Sequence, residues 1–186
     1  EQADPIFENC TFVDNTARKG GAVLITGGGQ SNDMNRAHFR NSTFRLNKSE
    51  DENSTEAPQG GAIALINNRA TATIIDCIFE ENTAISRSDG YRSGGGAIYS
   101  NSFSFNSSSA SNYLIIDRCV FRKNISRGES GALGGAIDLM SSARITNSLF
   151  DGNKVNVVND GGFIGGGAIY ADAISFLDFG LGLTFN

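Results

Sequence analysis

The chain of 186 residues contains no tryptophan, two prolines, three cysteines and a single histidine, His38. Each scarcity closes off a class of protein. Cys10, Cys77 and Cys119 are too few and too odd in number for a disulfide framework, and their spacing fits no zinc site. They read as small buried hydrophobes. One histidine leaves no room for His-based nucleophilic or metal chemistry. No apolar run approaches the roughly 18 residues needed to span a bilayer. No phosphate-binding loop, nucleophile elbow or dinucleotide fingerprint is present. The net charge of −5 and pI near 4.8 argue against nucleic acid as a partner. No leader peptide is visible and the first residue is Glu1, so the chain reads as a processed form or a piece of a longer one. Nothing in it calls for a cofactor.

What the chain has in quantity is glycine, 23 residues, with 19 Asn, 20 Ser and 10 Thr. All four types disfavour helix and suit turns or extended chain. Thirteen Phe supply enough apolar bulk for a core, which separates the chain from disordered sequences.

Two short words alternate along the chain. The first is a glycine pair followed by Ala and a β-branched residue, ending at Val23, Ile63, Ile98, Ile137 and Ile169. The second is Phe-x-x-Asn, at Phe12–Asn15, Phe44–Asn47, Phe79–Asn82, Phe121–Asn124 and Phe150–Asn153. Two residues before each Phe stands a small residue, and five before it an apolar one. Apolar residues two apart after each glycine pair mark a strand, as do the small residue and the Phe. The polar residue three before each Phe marks a bend.

Successive Phe are 32, 35, 42 and 29 residues apart. Strict alternation at uneven spacing means a fixed frame carrying loops of variable length. The pattern predicts an all-β fold, a parallel β-helix of about five coils with three short strands each, over residues 1–186 as one domain. Residues 171–186 break the register and read as a cap, an incomplete coil or an edge. Phe12, Phe44, Phe79, Phe121 and Phe150 then stack in the core. Asn15, Asn47, Asn82, Asn124 and Asn153 form an amide ladder. The glycines serve a corner where stacked chains crowd one another or need positive φ.

The pair of words resembles the passenger domains of the chlamydial polymorphic outer membrane proteins, which are autotransported adhesins. The resemblance implies an extracellular or cell-surface right-handed parallel β-helix. Its partner would be a cell-surface receptor, a glycan or a neighbouring subunit, and it has no membrane span in this segment. It carries an adhesive role onto Gly60, Gly61, Ala62 and Ile63 with Phe79 and Asn82, and onto Gly95, Gly96, Ala97 and Ile98 with Phe121 and Asn124. The bottom-up reading agrees on a non-enzymatic module, for adhesion or for end-to-end or side-by-side surface assembly. The alternative is a polysaccharide lyase or hydrolase of the pectin-lyase-like fold.

The other candidates are weaker. Asp76 and Asp117, with Arg118 beside them, come closest to a catalytic carboxylate pair, and a surface salt bridge is the default reading. Asp138, Asp151 and Asp172 are the remaining candidate carboxylates; Asp138 takes an outward position on a glycine-word strand, with no second carboxylate stacked beside it. Tyr99 and Tyr170 share that outward register and would make an aromatic strip. Glu50, Asp51, Glu52 and Glu56 read as solvated surface rather than a calcium site. Of six Asn-x-Ser/Thr sequons, Asn53 and Asn106 sit in polar loops and best suit glycosylation, with Asn41 next; Asn9 is a sequon too, and Asn47 and Asn124 belong to the ladder.

Overall fold

Three columns of left-handed backbone turn each coil. Asn9, Asn41, Asp76, Arg118 and Asn147 have φ between 47° and 55° and form the first corner. Asp14, Leu46, Glu81, Lys123 and Gly152 form the second, one residue before each ladder asparagine. Gly20, Gly60, Gly95, Gly134 and Gly166, the first glycine of each word, form the third. Between corners the chain is extended, and every strand pairs in parallel with its counterpart one coil away.

The computed structural model describes residues 3–27, 34–51, 56–67, 69–102, 112–159, 162–172, 177–179 and 183–186. Those residues form a right-handed parallel β-helix. Sheet A stacks Ile6–Glu8, Asn35–Arg40, Ala70–Ile75, Tyr113–Asp117, Ser142–Thr146 and Leu177–Phe179. Sheet B stacks Thr11–Val13, Thr43–Arg45, Ile78–Glu80, Val120–Arg122, Leu149–Asp151 and Thr184–Phe185. Sheet C stacks Thr16–Ala17, Lys48–Glu50, Thr83–Ser86, Ile125–Gly128 and Lys154–Val157. Sheet D is shorter, with Ser93–Gly94, Gly131–Leu133 and Phe163–Gly165. Sheet E holds the glycine-word strands Val23–Thr26, Ile63–Ile66, Ile98–Asn101, Ile137–Met140 and Ile169–Ala171.

The strand count exceeds the three per coil that the sequence predicts. Sheets A, B and E are the predicted strands. Sheets C and D lie in stretches that read as loops, because their inward positions carry small residues rather than large apolar ones. In sheet C these positions are Ala17, Ser49, Ala84, Ser126 and Val155. The C-terminal segment also keeps the register: Phe179 pairs with Ile145 and Phe185 with Phe150, as a sixth rung of sheets A and B.

The expected columns are present. The Phe12, Phe44, Phe79, Phe121 and Phe150 rings stack at 4.6, 4.7, 4.8 and 4.8 Å with planes within 4° of parallel. Phe185 extends the stack at 5.2 Å. Such stacks add to the burial gained by each ring.

The three interior rungs of the asparagine ladder use both polar atoms of their side chains. The Asn82 side-chain amide donates to Asn124 Oδ1 at 3.0 Å and to the Phe44 carbonyl at 2.9 Å. Its Oδ1 accepts from the Asn47 side-chain nitrogen and the Asn47 backbone nitrogen, both at 3.0 Å. Asn47 and Asn124 repeat the same four-bond pattern. An aspartate would lose both donors, and a leucine would strand four backbone or amide groups.

The second glycine of each word solves a different problem from the first. A Cβ on Gly96 would overlap the Gly135 carbonyl oxygen and lie 2.6 Å from the backbone N and C of Ile125. Ile125 directly follows ladder residue Asn124. Gly21, Gly61 and Gly135 meet Lys48, Thr83 and Lys154 in the same way. The glycine corner and the start of sheet C are therefore in backbone-to-backbone contact, and the lumen closes there without side chains. Gly96→Ala should lose about 3 kcal/mol, at the upper end of overpacking. Gly90→Ala, on an open turn with Ser88 Oγ as its nearest neighbour at 3.6 Å, should change stability by less than about 0.5 kcal/mol. Urea titration of both variants checks the contrast.

Candidate functional site

Outward residues of a solenoid strand ordinarily face water. Sheet E departs from this. Leu24 in the first coil is exposed, yet Ala64, Tyr99 and Asp138 at the equivalent positions are buried. The cause is the chain just before each glycine corner. There Lys19, Gln59 and Gly94 form bridges that run into sheet D, and this strip packs over the outside of sheet E.

The packing explains the third glycine in two of the five words. A Cβ on Gly94 would collide with the Asp138 carboxylate and come within 2.9 Å of the Tyr99 ring. A Cβ on Gly165 would come within 2.5 Å of the Tyr170 ring. The extra glycine appears in the two coils that carry a tyrosine at the outward position. That covariation within one chain, GGGAIY against GGAIA and GGAID, was the available sequence signal for a covered face. The aromatic strip expected from Tyr99 and Tyr170 is accordingly absent as an exposed surface: Tyr99 is 4% exposed and Tyr170 half-buried.

Beside Tyr99 lies a cavity of about 400 Å³, walled by Gln59, Tyr91, Arg92, Tyr99, Asp138 and Met140 among others. Asp138 is 1% exposed, not outward-facing in solvent as the sequence register suggests. Its Oδ1 has no hydrogen-bond partner. Burial, reinforced by the charge of Asp172 nearby, pushes its carboxyl up to about 7. The Tyr99 hydroxyl accepts from the Asn101 side-chain amide at 2.9 Å and points toward the Met140 sulfur at 3.6 Å. Burial and the Asp138 charge hold its proton well above the usual phenol range. Asn101 Oδ1 is likewise buried without a partner. Arg92 lies over the Phe163 ring at 4.3 Å, which fixes its charge at the rim.

The other sequence candidates resolve into structural roles. Arg118 bridges the Asp76–Asp117 pair, with a fork onto Asp76 at 2.7 and 2.9 Å and a further bond to Asp117. Asp117 also accepts from Thr146 at 2.7 Å and Asn147 at 2.9 Å. Arg118 hydrogen bonds hold the Asp76 carboxyl below the usual range, and the Thr146 bond does so first for Asp117. This is the surface salt bridge of the default reading. Asp151 pairs with Arg122 at 3.5 Å, and His38 with Asp4 at 3.1 Å.

The acidic cluster is not solvated surface as expected. Glu50 and Asp51 are buried. Glu50 pairs with Lys48 at 2.6 Å and with Arg87, and the Lys48 bond leads in holding its carboxyl down. Asp51 accepts from the Glu56 backbone at 2.7 Å and faces Arg18 at 3.8 Å, while Glu56 pairs with Lys19. Glu52 lies outside the described residues. No cluster among the described residues could hold a metal ion.

Cys77 and Cys119 are stacked, buried and unbonded. The hydrogen bond that the Cys119 thiol donates to Cys77, with burial, pushes the Cys119 thiol up. Of the sequons, Asn9 and Asn41 are exposed at the first corner, and Asn47 and Asn124 are fully buried in the ladder. Asn53 and Asn106 lie outside the described residues.

The motif residues tied to adhesion by resemblance are all interior. Gly60, Gly61, Gly95 and Gly96 are buried at the corners. Ala62, Ile63, Ala97, Ile98, Phe79, Asn82, Phe121 and Asn124 have no exposed surface. A partner can touch none of these side chains without unfolding the coil.

With this geometry in place, comparison with known proteins gives one finding. Residues 76–101 match the family model described as a Chlamydia polymorphic membrane protein repeat. The matched segment begins at the first corner, takes in Phe79–Asn82 and the glycine word, and ends with Asn101. It takes in the strands of sheets B, C, D and E of one coil and stops before the sheet A strand that completes the turn. No curated protein and no solved structure matches the chain.

Asp138 sets a pH dependence. Its folded pKa lies above the ordinary value near 4. Folding therefore takes up a proton between about pH 4 and pH 7, and stability falls as pH rises through that window. Glu50, Asp76 and Asp117, shifted down, lose their contributions only at more acid pH. Thermal melts from pH 5 to 8 should show a decline in the wild type. Asp138→Asn should abolish it and gain most at pH 8. An unchanged slope in the variant would assign the decline to other groups.

Proposed function

We propose that the chain forms part of a non-enzymatic, surface-exposed β-helix module acting in adhesion or as a structural unit of a surface assembly. The observation that carries the reading is the match of residues 76–101, four of the five strands of one coil, to the polymorphic membrane protein repeat. Both repeated words are consumed in building the frame. Recognition then falls to what varies between coils: the outward positions and the segments between sheets C and E. The resemblance places adhesion on the repeated words themselves. On this reading they act indirectly, by holding those segments in a fixed stack.

The non-enzymatic part of the proposal rests on the state of the carboxylates. Asp76 and Asp117 are both tied to Arg118 and shifted toward the ionised form. Neither is poised to give a proton to a leaving group at neutral pH.

The experiment pairs two assays on the purified chain. Immobilised protein should bind cultured host-type cells saturably above a denatured control. The same protein should leave a panel of neutral and acidic polysaccharides uncleaved. Turnover that disappears in Asp117→Asn would replace the adhesive reading with the polysaccharide-acting one. Absence of cell binding would leave the structural-unit reading, tested by whether the chain associates with itself in sedimentation.

A further inference from the structure

We propose that the cavity between the Tyr99–Asp138 face of sheet E and the covering strip is a binding site for a single neutral saccharide residue. The inference gives the adhesive reading a ligand class and rests on it for biological context, although the site is argued from geometry alone.

Four observations define the ligand. First, the cavity measures about 400 Å³, inside the range of small-molecule sites. Second, Asp138 lines the cavity with its carboxyl buried and Oδ1 without a partner. Buried polar atoms in folded proteins are almost always satisfied, so the site calls for a ligand rich in donors. Third, charge narrows the choice. Arg92 at the rim disfavours a cation, and Asp138 with Asp172 beside it disfavours an anion. A neutral polyol offers a hydroxyl donor to the Asp138 carboxyl and acceptors to Arg92 and the Gln59 amide. Fourth, the wall supplies apolar surface. Tyr91 is 40% exposed and Met140 is partly exposed, which suits the C–H face of a sugar ring.

The site is also built rather than incidental. Gly94 gives up its side chain so that the Asp138 carboxylate and the Tyr99 ring fit beneath it. Keeping a carboxyl buried with one oxygen unbonded costs stability, and its raised proton affinity is the sign of that cost. A leucine, the residue at the equivalent outward position of the first coil, Leu24, would avoid it.

The chain has two methionines, and only Met140 lines the cavity; Met34 sits beside Arg36 at the edge of sheet A. Methyl-¹³C methionine labelling therefore gives one reporter and one internal control, assigned with Met34→Leu. The probes are glucose, galactose, mannose and N-acetylglucosamine, with methylammonium and acetate as charged comparators, each titrated through the millimolar range. At least one sugar should shift the Met140 signal saturably and leave Met34 unmoved. Asp138→Leu, checked for a cooperative melt, should weaken that response at least tenfold. Tyr91→Ser, an exposed change that spares the fold, should weaken it as well.

Three results would overturn the proposal. These are no response of Met140 to any sugar, a stronger response to methylammonium or acetate, or a response that survives in folded Asp138→Leu and Tyr91→Ser. Cell binding measured in parallel separates the two readings. Adhesion without a Met140 response leaves the adhesive module standing and removes the site. A Met140 response without adhesion does the reverse.

Discussion

The structure depends on one close approach. In the first four coils the second glycine of the corner, Gly21, Gly61, Gly96 or Gly135, lies against the backbone that follows the ladder asparagine of the next coil, as Gly96 lies against Ile125. No side chain fits between them. The coil therefore pinches shut at that point. The two repeated words are the two sides of this contact, which is why they alternate so strictly while the distance between them varies. The first glycine supplies positive φ to bring the chain in. The asparagine satisfies the amides and carbonyls that the pinch would otherwise leave unpaired.

Around that contact, the cross-section fills by size. Stacked Phe rings from sheet B and Ile, Leu or Phe from sheets A and E occupy the wide part of the lumen. Small residues line sheet C, next to the pinch. Because each coil repeats the same solution, energy is spread evenly and no single coil holds a specialised core. Variation is tolerated outside: in the segments after sheets C and E, and on the outer face of sheet E. There the covering strip and the outward residue trade volume, with Gly94 against Tyr99 and Gly165 against Tyr170. The candidate site arises from this trade in the third and fourth coils.

The frame was legible because its residues recur. Five Phe, five Asn and five glycine pairs at matched offsets define a solenoid without reference to any contact. The bend predicted three residues before each Phe is the left-handed column from Asn9 to Asn147. Sheet C was hidden because Ser49, Ala84 and Ser126 carry no hydrophobic signal. They are inside because the lumen is narrow there, a fact about the opposite wall. The site was hidden for a related reason. Asp138 and Tyr99 occupy outward strand positions, and period-two logic assigns those to water. Only the covering strip reverses that assignment. The acidic run failed similarly: Glu50 and Asp51 are buried by cations contributed from other coils, Arg87 and Arg18.

The central claim is that the glycine corner and the asparagine ladder form one closed seam along the solenoid. Native-state hydrogen exchange at the backbone amides of Asn47, Asn82 and Asn124 tests it most directly, since each donates to a side-chain oxygen one coil away. The account predicts that these amides exchange only through global unfolding, as slowly as the central amides of sheet A. Exchange through local opening, well below the global stability, would show that the seam breathes on its own and that the Phe and Ile columns hold the coils together without it.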